Sequence, residues 1–241
     1  MRHRALQPMD RIIVAADVPS LPAFQQLAKA ITGHCTTIKI GLELITACGP
    51  DVVHVAHDLN LRVMYDGKFH DIPQTMGRAA SRVAELGVDC FTIHACAGKD
   101  GIAEAVKQAK ESTVIGVTVL TSHSEQQARD IFGILPDAKV MNFVQDLTGE
   151  GVWTIVCSPK ELKLLRSMRQ FEDLRIITPG IRPAWADAND QKRIMTPTEA
   201  IQAGVDRMVI GRPITECPQG PAEALKRLTE EISLALEAKS A

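Results

Sequence analysis

The sequence predicts an α/β fold, a single TIM (β/α)₈ barrel domain over residues 1–241. Three observations predict it. Eight short apolar runs recur along the chain. Helix-like segments fall between them. The length of 241 residues matches the ~250 typical of one such barrel.

The runs cover residues 11–16, 36–40, 61–66, 90–94, 113–119, 153–157, 174–178 and 207–211. Each is short, rich in Val and Ile, and bounded by turn or polar residues, which reads as a buried strand. Residues 1–10 read as a loosely ordered extension before the first strand.

The helical patterns lie between. Residues 20–31 open on Ser20, a plausible N-cap, and 72–86 end at Gly87. Residues 99–110, 124–132, 159–168 and 196–203 follow, the last ending at Gly204, and 221–238 close the chain. Residues 43–58 are helix-like, but Gly49-Pro50 must interrupt them. Residues 139–147 form a weaker candidate. Residues 179–196 show neither period, and so long a loop inside a compact domain is usually functional or disordered. An open doubly wound sheet is the alternative fold. It normally carries a Gly-rich phosphate loop after its first strand, where this chain has Ala16-Asp17-Val18-Pro19.

Composition narrows the class. Hydrophobic residues make up 45% and aromatic residues 4%, so aliphatic side chains must fill the core, as they do in helix-covered parallel sheets. The 27 basic and 29 acidic residues nearly balance, and no like-charge block suggests a nucleic-acid or membrane partner. None of the six cysteines forms a CxxC pair, which gives a zinc or thioredoxin reading little support. No signal-peptide pattern or membrane-length apolar stretch is present, so a reducing cytoplasm is the expected setting.

Charged residues mark the C-terminal ends of the expected strands, where barrels place their sites. Asp17 follows strand one. Lys39 alternates with Ile38 and Ile40 in strand two, so it points into the barrel if the isoleucines meet the helices. A lysine there is costly without a carboxylate partner. Strand three runs into Asp66-Gly67-Lys68-Phe69-His70-Asp71-Ile72-Pro73. Asp66 and Lys68, two apart, share a face of an extended strand. Lys39, Asp66, Lys68 and Asp71 are therefore expected to form an alternating charge network at the barrel mouth. The plainer reading is a salt-bridge network that only closes the barrel. Four charged groups on neighbouring strand ends favour a functional one. His70 reads as a packing residue. His94 ends strand four, where packing is favoured over lining the site. Trp153 and Trp185 read as packing and loop residues.

At the other end of the chain, strand seven runs into Thr178-Pro179-Gly180-Ile181-Arg182 and strand eight into Gly211-Arg212-Pro213. Glycine admits close backbone approach, arginine offers a bidentate fork, and the loops after these strands commonly hold phosphate.

These residues resemble a known family. The run Asp66-Gly67-Lys68-Phe69-His70-Asp71-Ile72-Pro73-Gln74-Thr75 resembles the signature of orotidine 5′-phosphate decarboxylases. So do Ala16-Asp17, Ile38-Lys39-Ile40-Gly41, Leu120-Thr121-Ser122, Asp190-Gln191-Lys192-Arg193 and Ile210-Gly211-Arg212, in the family's order. The resemblance implies a cofactor-free and metal-free enzyme that converts orotidine 5′-monophosphate to uridine 5′-monophosphate and CO₂ in pyrimidine synthesis. It implies that Lys68 protonates C6, that Asp66 and Asp71 stand near the departing carboxylate, and that Lys39 bridges the network. Asp17 and Lys39 would contact the ribose and Thr121 the pyrimidine. Arg182, Gln191, Gly211 and Arg212 would hold the phosphate. It also implies a homodimer in which Asp71 and Thr75 reach the neighbouring site.

Gly67 stands where the family usually has a larger apolar residue, and Gln74 where it usually has Asn. Gly67 is expected to face away from the site and to loosen the strand end by about 0.5–1 kcal/mol. Two rivals remain. A metal-dependent sugar-phosphate lyase of the same superfamily would carry Glu at the place of Lys39, since a carboxylate helps bind Mg²⁺ and an ammonium repels it. A non-catalytic binder of phosphorylated ligands would have no need of Lys68.

Overall fold

A computed structural model describes residues 6–186 and 195–240. Eight strands run Ile12–Ala15 (β1), Thr37–Gly41 (β2), Arg62–Phe69 (β3), Cys90–His94 (β4), Thr113–Val117 (β5), Thr154–Val156 (β6), Arg175–Thr178 (β7) and Arg207–Ile210 (β8). All pair in parallel, and β8 returns to β1, so the sheet closes in the order β1 to β8. This is the predicted barrel.

Helices cover the outside. They are Leu21–Ile31 (α1), Leu42–Cys48 (α2), Val52–His57 (α3), Pro73–Glu85 (α4), Lys99–Gln108 (α5), Glu125–Phe132 (α6), Pro136–Gly149 (α7), Leu162–Ser167 (α8), Pro197–Ala203 (α9), Arg212–Thr215 (α10) and Pro221–Ser240 (α11). Ser20 caps α1 by accepting from Ala23 N at 3.4 Å. Gly49 does divide the 43–58 segment, into α2 and α3. No helix among the described residues is long and apolar enough to cross a membrane.

Alternation along the strands sorts side chains between two compartments. Ile12, Val14, Ile38, Ile40, Val63 and Phe91 join the main core between barrel and helices. Ile13, Met64, Ile115 and Ile177 pack inside the barrel. These four come from odd-numbered strands and are joined by Cys90 of β4, with Val156 of β6 and Val209 of β8 against them, so side chains of both sets fill the interior. Lys39 is likewise inward and 8% exposed, as its isoleucine neighbours predicted.

Three sequence expectations change. The weak 139–147 candidate is a 14-residue helix, α7, because Pro136 supplies its N-terminus and Val140, Phe143, Val144 and Leu147 bury one face. The 159–168 segment is a 3-10 turn, Pro159–Glu161, followed by α8. The loose extension expected over 1–10 is corrected in its second half. Pro8–Arg11 forms a 3-10 turn, and Asp10 accepts from Thr36 Oγ1 at 3.0 Å and from Arg62 Nη2 at 3.3 Å. The long loop after β7 is tied at its base, where Arg182 N donates to Met195 O at 3.0 Å.

Candidate active site

A cavity of about 320 Å³ opens at the C-terminal mouth of the barrel. Asp17, Lys39, Asp66, Lys68, Thr121, Arg182, Gly211 and Arg212 line it, which brings eight of the eleven predicted site residues to one place. Its floor is apolar, formed by Met64, Val117, Val156 and Val209.

An alternating charge chain crosses the mouth. Asp17 Oδ1 lies 3.0 Å from Lys39 Nζ, Lys39 Nζ lies 3.4 Å from Asp66 Oδ2, and Lys68 Nζ lies 2.7 Å from that same oxygen. Two lysines and two aspartates take part, as the sequence suggested, but the second aspartate is Asp17 and not Asp71. Asp71 is exposed and its carboxylate accepts from Ile72 N at 2.7 Å. Both aspartates lie two residues past the ends of their strands, but Asp17 follows Ala15, the β1 partner of Lys39, and turns onto its ammonium, whereas Asp71 on the turn into α4 accepts from its own neighbour. Thr75, in the first turn of α4, is also exposed and outside the cavity. Gln191 lies outside the described residues.

Burial pushes the Asp66 carboxyl up. The ammonium groups of Lys39 and Lys68, and hydrogen bonds from Lys68 and Thr92, outweigh that and hold it below the usual carboxylate range. Asp66 is therefore an anion at neutral pH, held between two cations.

Asp66 and Lys68 meet for a reason that extended-strand alternation does not give. Tyr65 pairs with Phe91 and Phe69 with Ile93, so Asp66, Gly67 and Lys68 together stand opposite the single residue Thr92. This is a bulge, and Lys68 sits in it with φ +49°. Bulges re-aim side chains, and here the lysine is turned onto its own strand neighbour.

Gly67 faces away from the cavity. A Cβ there would come within 2.8 Å of the Phe69 ring and 3.0 Å of the Tyr65 ring. The two rings, with centroids 6.2 Å apart, fill the space a larger residue would take. The expected loosening of the strand end is thereby offset by packing.

Comparison with known proteins places this arrangement. The sequence model of the orotidine 5′-phosphate decarboxylase / HUMPS family matches residues 10–228. The chain belongs to that family. A relative named orotidine 5′-phosphate decarboxylase from Heliobacterium modesticaldum is 39% identical over 240 residues, 95% of this chain and 98% of its own. One of the same name from Syntrophotalea carbinolica is 41% identical, covering 94% and 96%. The crystal structure of the Lactobacillus acidophilus orotidine 5′-phosphate decarboxylase superposes with a TM-score of 0.81 at 28% identity, covering 92% of this chain and 99% of that one.

Against the decarboxylase/HUMPS signature, two residues in the site carry more than their place in a motif suggested. A Cβ on Gly41 would stand 2.9 Å from Lys39 Nζ and 3.2 Å from Asp17 Oδ1, so only glycine leaves that ion pair its room. Thr92, fully buried, contacts both Asp66 and Lys68. The one signal for Thr92 in the sequence is its inward parity, two residues before His94. The histidines remain outside the cavity. His70 and His94 pack with ring centroids 5.8 Å apart, and His70 Nδ1 lies 3.8 Å from Cys96 Sγ. Burial lowers the His94 pKa, helped by His70 and Lys68.

Proposed function

We propose that this chain decarboxylates orotidine 5′-monophosphate to uridine 5′-monophosphate and CO₂, as the names of its relatives state for them. The observation that carries the reading is Lys68 bound to Asp66 over an apolar cavity floor, with Arg182 and Arg212 lining the same cavity.

Breaking the C6–carboxylate bond leaves the electron pair on C6, where delocalisation is poor. An enzyme must stabilise that carbanion more than the bound substrate. The Lys68 ammonium, fixed by Asp66, provides a positive charge in place before the charge develops. It then donates a proton to C6, a C–H bond forms, and the neutral amine regains its proton from solvent. Asp17 and Lys39 take the ribose hydroxyls, Thr121 the pyrimidine, and Arg182, Gln191, Gly211 and Arg212 the phosphate. The phosphate end lies away from the bond that breaks, so its binding energy is available to orient the ring over Lys68.

Lys39 separates this reading from a metal-dependent sugar-phosphate lyase. Its ammonium sits on Asp17 and Asp66, the carboxylates such an ion would need. No cofactor enters the scheme. The active unit in this reading is a cytoplasmic homodimer, with Asp71 and Thr75 completing the neighbour's site. Their exposure leaves both side chains open to a neighbouring subunit, and six free cysteines suit a reducing compartment.

The test is a spectrophotometric assay with orotidine 5′-monophosphate in excess EDTA. Wild type turns over, and Lys68→Ala abolishes product while keeping the wild-type melting curve. Loss of wild-type activity under EDTA, restored by Mg²⁺, moves the assignment to the lyase. Near-wild-type turnover by Lys68→Ala removes the proton-donor role.

A further inference from the structure

We propose that Thr92 is a positioning residue, and that its hydroxyl sets both members of the Asp66–Lys68 pair. The proposal rests on the decarboxylase reading for its catalytic consequence.

Thr92 is the one β4 residue opposite the three-residue bulge of β3. Its side chain is fully buried. The hydroxyl accepts from the backbone N–H of Lys68 at 2.9 Å and donates to Asp66 Oδ1 at 2.9 Å. A hydroxyl has one proton to give, and an N–H and a carboxylate fix which way each bond runs. One atom therefore holds the backbone of the proposed proton donor and the side chain of its partner.

Each contact has a separate effect. The bond to Oδ1 fixes the rotation of the Asp66 carboxylate, so that Oδ2 is the oxygen left for Lys39 and Lys68. The bond to Lys68 N secures a backbone with φ +49°, a region that non-glycine residues rarely occupy unless their surroundings hold them there. Without it the bulge loses a hydrogen bond to β4 at Lys68 itself, and the backbone that aims the Lys68 side chain is held less firmly. Thr92 itself does not line the cavity, so it acts through the pair and not on substrate.

Valine keeps the shape and removes the hydroxyl; serine keeps the hydroxyl. Thr92→Val is expected to lower kcat on the order of 10²-fold, the scale of a misplaced reacting group, with KM within a few-fold because the phosphate is held elsewhere. The acid limb of its pH–kcat profile moves to higher pH, since Asp66 loses a donor that favours its anion. Thr92→Ser stays within a few-fold of wild type. A Val variant with wild-type kcat, or a Ser variant as damaged as Val, overturns the proposal.

Hydrogen exchange in the wild-type protein tests the same contact without any variant or substrate. The Lys68 amide is expected to be protected, and exchange at the free-peptide rate overturns the proposal. Failure of wild type to decarboxylate overturns the function reading alone, because the amide result stands apart from it.

Discussion

At the scale of single residues the site is a matter of tenths of an ångström. Lys39 holds two carboxylates, and Gly41 is the residue that gives its ammonium room. Gly41→Ala places a methyl 2.9 Å from Lys39 Nζ, at the far end of a flexible side chain. The side chain yields easily, so folding suffers little while the charge chain is displaced. The expected outcome is a Tm within about 4 °C of wild type, the equivalent of ~1 kcal/mol or less. Turnover falls at least ~10-fold, as expected for a displaced positioning charge. A melting curve and a steady-state assay on the same sample check it; equal losses in both would make Gly41 a folding residue.

At the scale of elements, helix-to-barrel distance is set by small residues on the strands. Gly116 in β5 is the clearest case. A Cβ there would lie 2.4 to 2.9 Å from side-chain atoms of Leu147, which is fully buried on α7. Helix and strand touch through that glycine. Gly116→Ala is expected to destabilise by about 1–3 kcal/mol through overpacking. Trimming the partner should relieve it, so Gly116→Ala combined with Leu147→Ala loses less than the sum of the two single changes. Urea melts of the four proteins close this cycle, and additive losses would refute the contact. The sequence marks α7 only weakly, as a candidate over 139–147. Its buried positions, Val140, Phe143, Val144 and Leu147, carry the helical period, and the helix starts three residues earlier than that candidate, at Pro136.

At the scale of the whole molecule, barrel closure gathers residues from 17 to 212 at one rim. Asp71 and Thr75 stay outside that cavity and are exposed. If they serve a neighbouring subunit, two inactive proteins can repair each other. Mixing Lys68→Ala with Asp71→Ala subunits, after unfolding and refolding together, is expected to restore turnover that neither has alone. A mixture as inactive as its parts would place Asp71 in its own chain's chemistry or in none.

The sequence by itself determined what depends on neighbours along the chain. Short apolar runs and helical patterns named eight strands and most helices, and alternation sent Lys39 inward and Gly67 outward. The short motifs at strand ends named the family and the residues that now line the cavity. Only the tertiary structure decided who partners whom. That Asp17 joins the charge chain, that Asp66 and Lys68 meet through a bulge, and that Thr92 holds both, all follow from register between strands. Register sets which residues of neighbouring strands stand side by side, and so brings together Asp17 and Lys39, 22 positions apart, and Lys68 and Thr92, 24 apart. Spacing along one strand carries no record of that, because a bulge shifts the pairing without disturbing the apolar pattern on either side.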